Sequence, residues 1–386
     1  MAIQHPSATI RRFPMVLIAV AVAALAAAGQ PSSGEPPGPP TPRGDAGPAP
    51  DVPRLRALAH GEQILGVAFS PDGKTLASAG NGSGARLKLW DTGTGALTRT
   101  LEGPWIGWRS AAFSPDGKIL VAGGGTKKAG GADFLRAFDA ATGATLWSGT
   151  KEEAFGEPFA VAFAPDGKTL AVGGRTWRGG FGAKQGILQI RDARTGVIVR
   201  KVDDLELDDI WGIAYSPDGK TLAVAENTSA RATVIDTATW TEAARFSTWR
   251  ATSVAISPDG ATLAVGQMKD FTPDGKPQHG GQVSLFDLAA KARVRDLAAQ
   301  PELVLAVDFA PDGRALATGG YDKTARVHDA ATGHLLRLRM FPDWVHSVAF
   351  SPDGKALALG SRPDAFLWDW RADDPPDPGA AGITPP

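Results

Sequence analysis

Cysteine is absent from this sequence, which excludes disulfides, thiolate metal ligands and cysteine nucleophiles. A charge imbalance is absent as well. The 40 basic and 41 acidic residues give a net charge of −1, whereas a nucleic-acid-binding surface needs a basic excess. Histidine is scarce, and none of the six histidines stands in an HExxH or comparable metal-binding spacing. We therefore expect no metal site, no cofactor and no nucleic-acid partner.

The two ends of the chain differ in composition from the rest. Arg11 and Arg12 precede "FPMVLIAVAVAALAAAG", an apolar run that ends in small residues, as in a secretory signal peptide. The run is shorter than the roughly 20 residues of a membrane span. Residues 1–29 are therefore predicted to be a cleaved signal, with an uncleaved N-terminal anchor as the alternative. Residues 30–52 and 372–386 are rich in proline and glycine, a composition typical of disordered segments. We predict an exported protein, periplasmic or extracellular, whose one expected contact with a membrane is that anchor.

A Ser/Ala-Pro-Asp-Gly motif recurs seven times between these ends, at intervals of 41–53 residues. A leucine stands five residues after the proline in every copy: Leu76, Leu120, Leu170, Leu222, Leu263, Leu316 and Leu357. Proline and aspartate suit the central positions of a type I turn, and glycine accepts a positive φ after them. Alternating residues on both sides predict that the motif joins two strands of a β-hairpin. Since seven nearly identical turns are not seven active sites, we interpret the motif as architectural.

Two further strands follow each predicted hairpin. The third strand ends in aspartate before a Thr-Gly turn in most units, as in "RLKLWDTGTG" (86–95), and a fourth strand such as "ALTRTL" (96–101) comes next. The last unit lacks a fourth strand, whereas a spare strand, "PRLRALAH" (53–60), precedes the first unit. We therefore predict that the N-terminal strand completes the last sheet. Another Pro-Asp-Gly, in "FTPDGKP" (271–277), follows Pro258 too closely to start a unit, and we interpret it as the tip of an insertion.

Units that carry "VAFSPDGK", "LASAG" and "LKLWDTGTG" resemble the repeats of a WD-repeat β-propeller, and the resemblance covers residues 53–371. It implies an all-β, seven-bladed β-propeller with four-stranded antiparallel blades, closed into a ring by the N-terminal strand. Only Trp90-Asp91 and Trp368-Asp369 keep the family's dipeptide, and the family's Gly-His before the first strand is missing from nearly every unit. Asp322 resembles the family's turn aspartate but lacks its histidine partner. We therefore expect the family's buried hydrogen-bonded tetrad to be mostly lost, with packing holding the blades.

Aromatic residues mark one face of the predicted ring. The resemblance implies that the loops after the second and fourth strands share a face, and these loops carry six of the eleven tryptophans. The predicted partner-binding residues are Trp105, Trp108, Arg109, Trp177, Arg178, Phe181, Trp211, Trp249, Arg250 and Trp344. Tryptophan and arginine are enriched at interface hot spots, which favours a binding surface. The alternative is that the tryptophans pack at the channel mouth or between blades.

The function predicted from these features is a non-catalytic, monomeric scaffold that binds a protein or peptide through the aromatic face, as the resemblance implies for most WD-repeat proteins. One alternative is a propeller enzyme of the lactonase or quinoprotein type, against which the scattered histidines argue. The other alternative is a carbohydrate-binding propeller, because aromatic platforms suit sugar rings.

Asp308 is an exception within the repeat. It stands three residues before the motif proline, where the other six units have alanine. A carboxylate at such a position needs a partner, because burying an unpaired charge is costly. We predict that it bonds a neighbouring turn or an arginine side chain, with an acid that lines the channel as the functional alternative.

Overall fold

The computed structural model describes residues 55–371 except 83, 85, 104–106, 126–134, 150–156, 177–185 and 272–276, and it leaves out the side chains of 270, 271 and 277–279. The predicted N-terminal segment, linker and C-terminal tail lie outside the described residues. Within them the chain forms 28 β-strands. No helix in this part of the chain is long and apolar enough to cross a membrane.

The strands occur in the predicted order of four to a unit, and β1 (Leu55–Leu58) comes before the first of them. The first strands are β2 (Gln63–Phe69), β6 (Gly107–Phe113), β10 (Glu157–Phe163), β14 (Ile210–Tyr215), β18 (Arg250–Ile256), β22 (Val304–Phe309) and β26 (Ser347–Phe350). The second strands are β3 (Thr75–Asn81), β7 (Ile119–Gly125), β11 (Thr169–Arg175), β15 (Thr221–Glu226), β19 (Thr262–Phe271), β23 (Ala315–Gly320) and β27 (Leu357–Gly360).

The remaining strands complete the sheets. The third strands are β4 (Arg86–Asp91), β8 (Leu135–Asp139), β12 (Gly186–Asp192), β16 (Arg231–Asp236), β20 (Pro277–Asp287), β24 (Thr324–Asp329) and β28 (Ala365–Trp368). The fourth strands are β5 (Leu97–Glu102), β9 (Thr145–Ser148), β13 (Ile198–Lys201), β17 (Glu242–Ser247), β21 (Ala292–Asp296) and β25 (Leu335–Met340).

The strands pair into antiparallel sheets, of which five are four-stranded. Four of these follow chain order, β10 to β13, β14 to β17, β18 to β21 and β22 to β25, and the fifth has the order β1-β28-β27-β26. In the fifth sheet Leu55 pairs with Trp368 and Leu58 with Ala365. A sixth sheet holds β2 to β9, and its two halves are joined through the pair Asn81–Gly107. The part of the chain that the structure describes is thus an all-β propeller of four-stranded antiparallel blades.

The first strands line the inside of the propeller. They contact one another in chain order, and β26 also contacts β2. Burial follows this arrangement, since β14 and β22 are buried along their whole length while β13 and β25 are mostly exposed or half-buried. Leu58 of β1 packs in one apolar cluster with Val67 and Trp90 of the first unit and Ala349 and Leu367 of the last. The beginning and the end of the described chain therefore share a core.

The Pro-Asp-Gly turns form at the predicted places. In the third unit the Gly167 N–H donates to the carbonyl of Ala164 at 2.9 Å, and the Asp166 carboxylate accepts the Lys168 N–H at 2.9 Å. Gly167 has a φ of +68°, the left-handed region in which side chains with a Cβ are strained. A Cβ placed on Gly167 lies 3.5 Å from Cδ of Pro115, the proline of the preceding turn. The turns therefore touch their neighbours on one face, which we call the lower face.

Gly167→Val is expected to lower the free energy of unfolding by about 1–3 kcal/mol, because a β-branched residue resists positive φ. Gly167→Asn is the matched control, since asparagine tolerates the left-handed region better than other residues with a Cβ. Denaturant titration of both variants measures the difference. Equal stabilities of the valine variant and the wild type would show that the turn does not depend on the glycine.

The first unit forms part of the hydrogen-bonded arrangement that the resemblance to WD repeats implies. The indole N–H of Trp90 donates to Ser78 Oγ at 2.8 Å, and His60 Nε2 lies 3.3 Å from the carbonyl of Ser78. Burial lowers the pKa of His60 to about 4, so the imidazole is neutral at neutral pH. The first unit therefore keeps some of these hydrogen bonds, which is compatible with the expectation that the tetrad is mostly lost.

The sixth unit builds a substitute from different residues. Asp322 pairs with Arg326 at 2.7 Å, Arg326 Nη1 donates to Gln300 Oε1 at 2.5 Å, and Gln300 Nε2 donates to Thr318 Oγ1 at 3.0 Å. Gln300 lies in the connection before the first strand of its unit and hydrogen-bonds to the second strand. His60 occupies the same position in the first unit and also contacts the second strand. Asp322 lacks a histidine partner, as predicted. Arg326 and Gln300 instead link its carboxylate to Thr318 of the second strand.

The chain on both sides of the predicted insertion is strand, because β19 extends to Phe271 and β20 begins at Pro277. β19 and β20 pair from Thr262–Asp287 out to Phe271–Pro277, which makes them the longest hairpin of the described chain. The extra Pro-Asp-Gly belongs to residues 272–276, which lie outside the described residues, so its place at the tip of an insertion stays a prediction.

Asp308 is buried with 3% of its surface exposed, and its partner differs from the predicted one. The Phe350 N–H, in the first strand of the next unit, donates to Asp308 Oδ2 at 2.8 Å. Neither a turn nor an arginine supplies this bond, because β26 itself lies against the aspartate. Burial raises the pKa of Asp308 to about 8.

Candidate partner-binding site

The face opposite the Pro-Asp-Gly turns, called the upper face here, is formed where first strands begin and second strands end. The register places Glu157 opposite Arg175 in the third unit and Arg250 opposite Met268 in the fifth. In each case the side chain at the start of a first strand has a neighbour at the end of the adjacent second strand. Residues far apart in sequence are therefore gathered at this face by the repeat.

The structure divides the predicted binding residues into three groups. Trp105, Trp177, Arg178 and Phe181 lie outside the described residues. Trp108 and Trp211 are buried, with exposed fractions of 0% and 6%. The half-buried group has partly accessible side chains at the upper face, and its members are Arg109, Trp249, Arg250 and Trp344.

Trp108 belongs to the core of the first two units. Its ring lies 5.9 Å from that of Phe138, and it packs in a cluster with Leu89 and Leu101. A Cβ placed on Gly103 falls 2.7 Å from the Trp108 ring, so that glycine makes room for the indole. The prediction of Trp108 as a binding residue is therefore wrong, because no part of it reaches the surface.

Trp211 closes the interior below the upper face. It clusters with Phe159, Met268 and Leu305, which come from the third, fifth and sixth units. The Phe159 ring meets the indole edge-on at 6.5 Å, a favourable aromatic geometry. Residues from four units thus form one apolar cluster, which we call the plug. Trp211 packs in it, in agreement with the alternative interpretation that the tryptophans are packing residues.

Trp344 belongs to a partly accessible aromatic group of the upper face. Tyr321 stacks on it with ring centres 4.2 Å apart and planes 15° apart, and His346 meets both rings edge-on. Burial lowers the pKa of His346 to about 4 and raises that of Tyr321 to about 12, so both are neutral at neutral pH. Tyr321 and His346 were missed in the sequence, although Tyr321 directly follows a second strand, where the motif register places the upper face.

Charged residues form a second part of the upper face. Glu157 pairs with Arg175 at 2.7 Å and with Arg109 at 3.7 Å, and Arg175 reaches Asp209 at 3.6 Å. Both guanidinium groups also lie over the Phe159 ring, at 5.4 Å for Arg109 and 5.1 Å for Arg175. The ion pairs therefore lie directly on the apolar plug.

Further hydrogen bonds continue this polar layer around the face. Gln63 Nε2 lies 2.9 Å from His346 Nε2, and the Asn81 amide donates to Gln63 Oε1 at 3.3 Å. In the fourth and fifth units Arg250 Nη2 donates to Asn227 Oδ1 at 2.8 Å. His346 connects this layer to the aromatic group, since it contacts Gln63 and also meets the Trp344 ring. Among the described residues, no group of three or more His, Asp or Glu side chains is placed to hold a metal ion.

Comparison with known families agrees with this architecture. Residues 53–91 and 293–329 match the family model described as WD domain, G-beta repeat. The first match covers β1 to β4, and the second covers most of β21 and all of β22 to β24. Each match therefore contains the outer strand of one sheet and the three inner strands of the next. No curated protein matches the chain.

Proposed function

We propose that this chain, a β-propeller built from WD repeats, is a non-catalytic scaffold that binds a protein or peptide at the upper face. The observation that carries the proposal is the half-buried stack of Tyr321 and Trp344. Aromatic side chains that are held rigidly and remain partly accessible are typical interface anchors. Arg109 and Trp249 on the same face are also half-buried, which extends the surface beyond the stack.

We also propose that the blades form a complete ring. We infer seven blades, with the eight-stranded sheet counted as two blades joined at the single pair Asn81–Gly107 and with β1 closing the last blade. We also infer export from the cytoplasm, which the apolar run that follows Arg11 and Arg12 supports. N-terminal sequencing of protein from fractionated cells tests export, and an intact Met1 in the soluble cytoplasmic fraction would contradict it.

Trp344→Ala is expected to weaken binding of the natural partner by about 2 kcal/mol or more, as truncation of a hot spot does. Its effect on stability should be about 1–3 kcal/mol, because the half-buried ring loses its contacts with Tyr321 and His346. The measurement is affinity capture from the cell-envelope fraction with wild type and variant, followed by titration of the captured partner and thermal unfolding of both proteins.

Trp211→Ala is the matched control. It removes the same side chain type from the buried plug and should cost about 3–5 kcal/mol of stability. Retained partner binding by Trp344→Ala would reject the upper face as the binding surface. A copurifying metal ion or quinone, or a signal on a glycan array, would instead favour the enzyme or the carbohydrate-binding propeller.

A further inference from the structure

The outer strands of the propeller have an unusual composition. Every large hydrophobic side chain that is exposed among the described residues lies on a fourth strand or directly before one. These are Leu97, Leu146, Val197, Val199, Val294, Leu335, Leu336 and Met340. The seven outer strands, β1 included, also carry nine arginine and lysine residues against three acidic ones. The perimeter is thus basic and aliphatic although the whole chain has a net charge of −1.

Three consecutive outer strands, β21, β25 and β1, form a continuous surface that we call the flank. Arg295 of β21 reaches the turn before β25, where its Cδ lies 3.6 Å from a Cβ placed on Gly333. Arg339 of β25 lies over the Trp368 ring at 6.0 Å, and Trp368 pairs with Leu55 of β1. The three strands are therefore neighbours in space as well as around the ring.

The flank contains half of the exposed aliphatic side chains and most of the basic ones. Its aliphatic members are Val294, Leu335, Leu336 and Met340, and its charged members are Arg56, Arg293, Arg295, Arg337, Arg339 and Asp296. Charges on edge strands protect against pairing with other chains, which accounts for the arginines alone. Protection does not account for the exposed aliphatic residues placed between them.

We propose that the flank docks on an anionic lipid surface. Aliphatic side chains interleaved with long cations suit the boundary between headgroups and acyl chains, because the cations stay at the phosphates while the apolar groups enter. The five cations and one anion of the flank complement a negative surface. In addition, β1 is the strand that follows residues 1–54, whose apolar run is a signal or an anchor by sequence. An anchor there, joined to β1 through residues 30–52, would keep this strand within reach of the membrane.

Arg337→Gln with Arg339→Gln tests the proposal in the full chain. The probe is cosedimentation with vesicles of phosphatidylcholine and phosphatidylglycerol in a two-to-one ratio, compared with vesicles of phosphatidylcholine alone. Wild type should bind the anionic vesicles more strongly, and the advantage should fall as salt is added. The double variant should lose about 30-fold of that advantage, since each cation at the surface contributes roughly a factor of five.

Two further variants distinguish an effect of the flank from an effect of the total charge of the protein. Arg200→Gln with Lys201→Gln removes the same charge from β13, outside the flank, and should keep the wild-type preference. Arg337→Lys with Arg339→Lys keeps the charge and should restore it. Equal binding of wild type to both kinds of vesicle, or equal losses in the two glutamine variants, would overturn the proposal. Self-association that requires Arg337 and Arg339 in the absence of lipid would overturn it too, because the flank would then be a protein interface.

Discussion

Deletion of residues 55–58 is expected to lower the free energy of unfolding by about 4 kcal/mol or more, as the loss of a buried leucine and its strand does. These residues are the whole of β1, the fourth strand of the last sheet. Leu58 is 1% exposed in the cluster shared by the first and last units. Arg56 Nη1 also donates to the carbonyl of Gly93 at 2.7 Å, in the first unit. The deletion therefore removes contacts to both the first and the last unit of the described chain.

Thermal and denaturant unfolding measure this effect, with a deletion of four residues inside 30–52 as the control. The control shortens the chain by the same amount in a segment rich in proline and glycine. Leu58→Ala should account for about 2–5 kcal/mol by itself. The deletion also uncovers the edge of β28, so self-association by strand pairing is expected to increase. A melting temperature equal to that of the control would mean that β1 does not hold the ring together.

The sequence was sufficient for most of the strands, although not for the full length of β19 and β20, because most strand determinants are local. Proline, aspartate and glycine fix a turn within four residues, and Gly167 adopts the expected positive φ. The spare strand at 53–60 could be assigned to the last sheet because that unit visibly lacked one. Third-strand ends such as Trp90-Asp91 marked the register of the remaining strands.

The site was predicted less well because side-chain burial depends on residues far away in sequence. Trp108 is covered by Phe138, and Trp211 by Met268, and no local pattern reveals these neighbours. Trp344 stands in a similar place at the start of a unit, yet it is half-buried because its nearest ring, Tyr321, lies beside it at the same face. The aromatic face predicted from sequence therefore combined packing residues with accessible ones.

Replacement of Asp308 by asparagine is expected to stabilise the protein at pH 8 and above, by an amount on the order of 2–5 kcal/mol. Burial raises the pKa of this carboxyl from 3.8 to about 8. Its contribution to stability is therefore complete below about pH 4, where the group is protonated in both the folded and the unfolded state. It declines as the pH rises toward 8, because the unfolded chain ionises freely while the folded chain must keep the proton.

Asparagine keeps an oxygen that can accept the Phe350 N–H, which lies 2.8 Å from Asp308 Oδ2, but it does not ionise. The difference in unfolding free energy between Asp308→Asn and wild type should therefore be small at pH 4 and grow until about pH 8. Denaturant titrations across this range measure it. A hydrogen bond from Ser70 lowers the pKa of Asp72, so the stability that Asp72 contributes is lost in acid. This loss is the same in Asp308→Asn and wild type and therefore cancels in the difference. A difference that stays constant with pH would show that Asp308 is ionised in the folded state or that its burial is relieved by water. A difference that grows with pH would show that burial of the Asp308 carboxyl lowers the stability at high pH. The six units with alanine at this position do not have that cost.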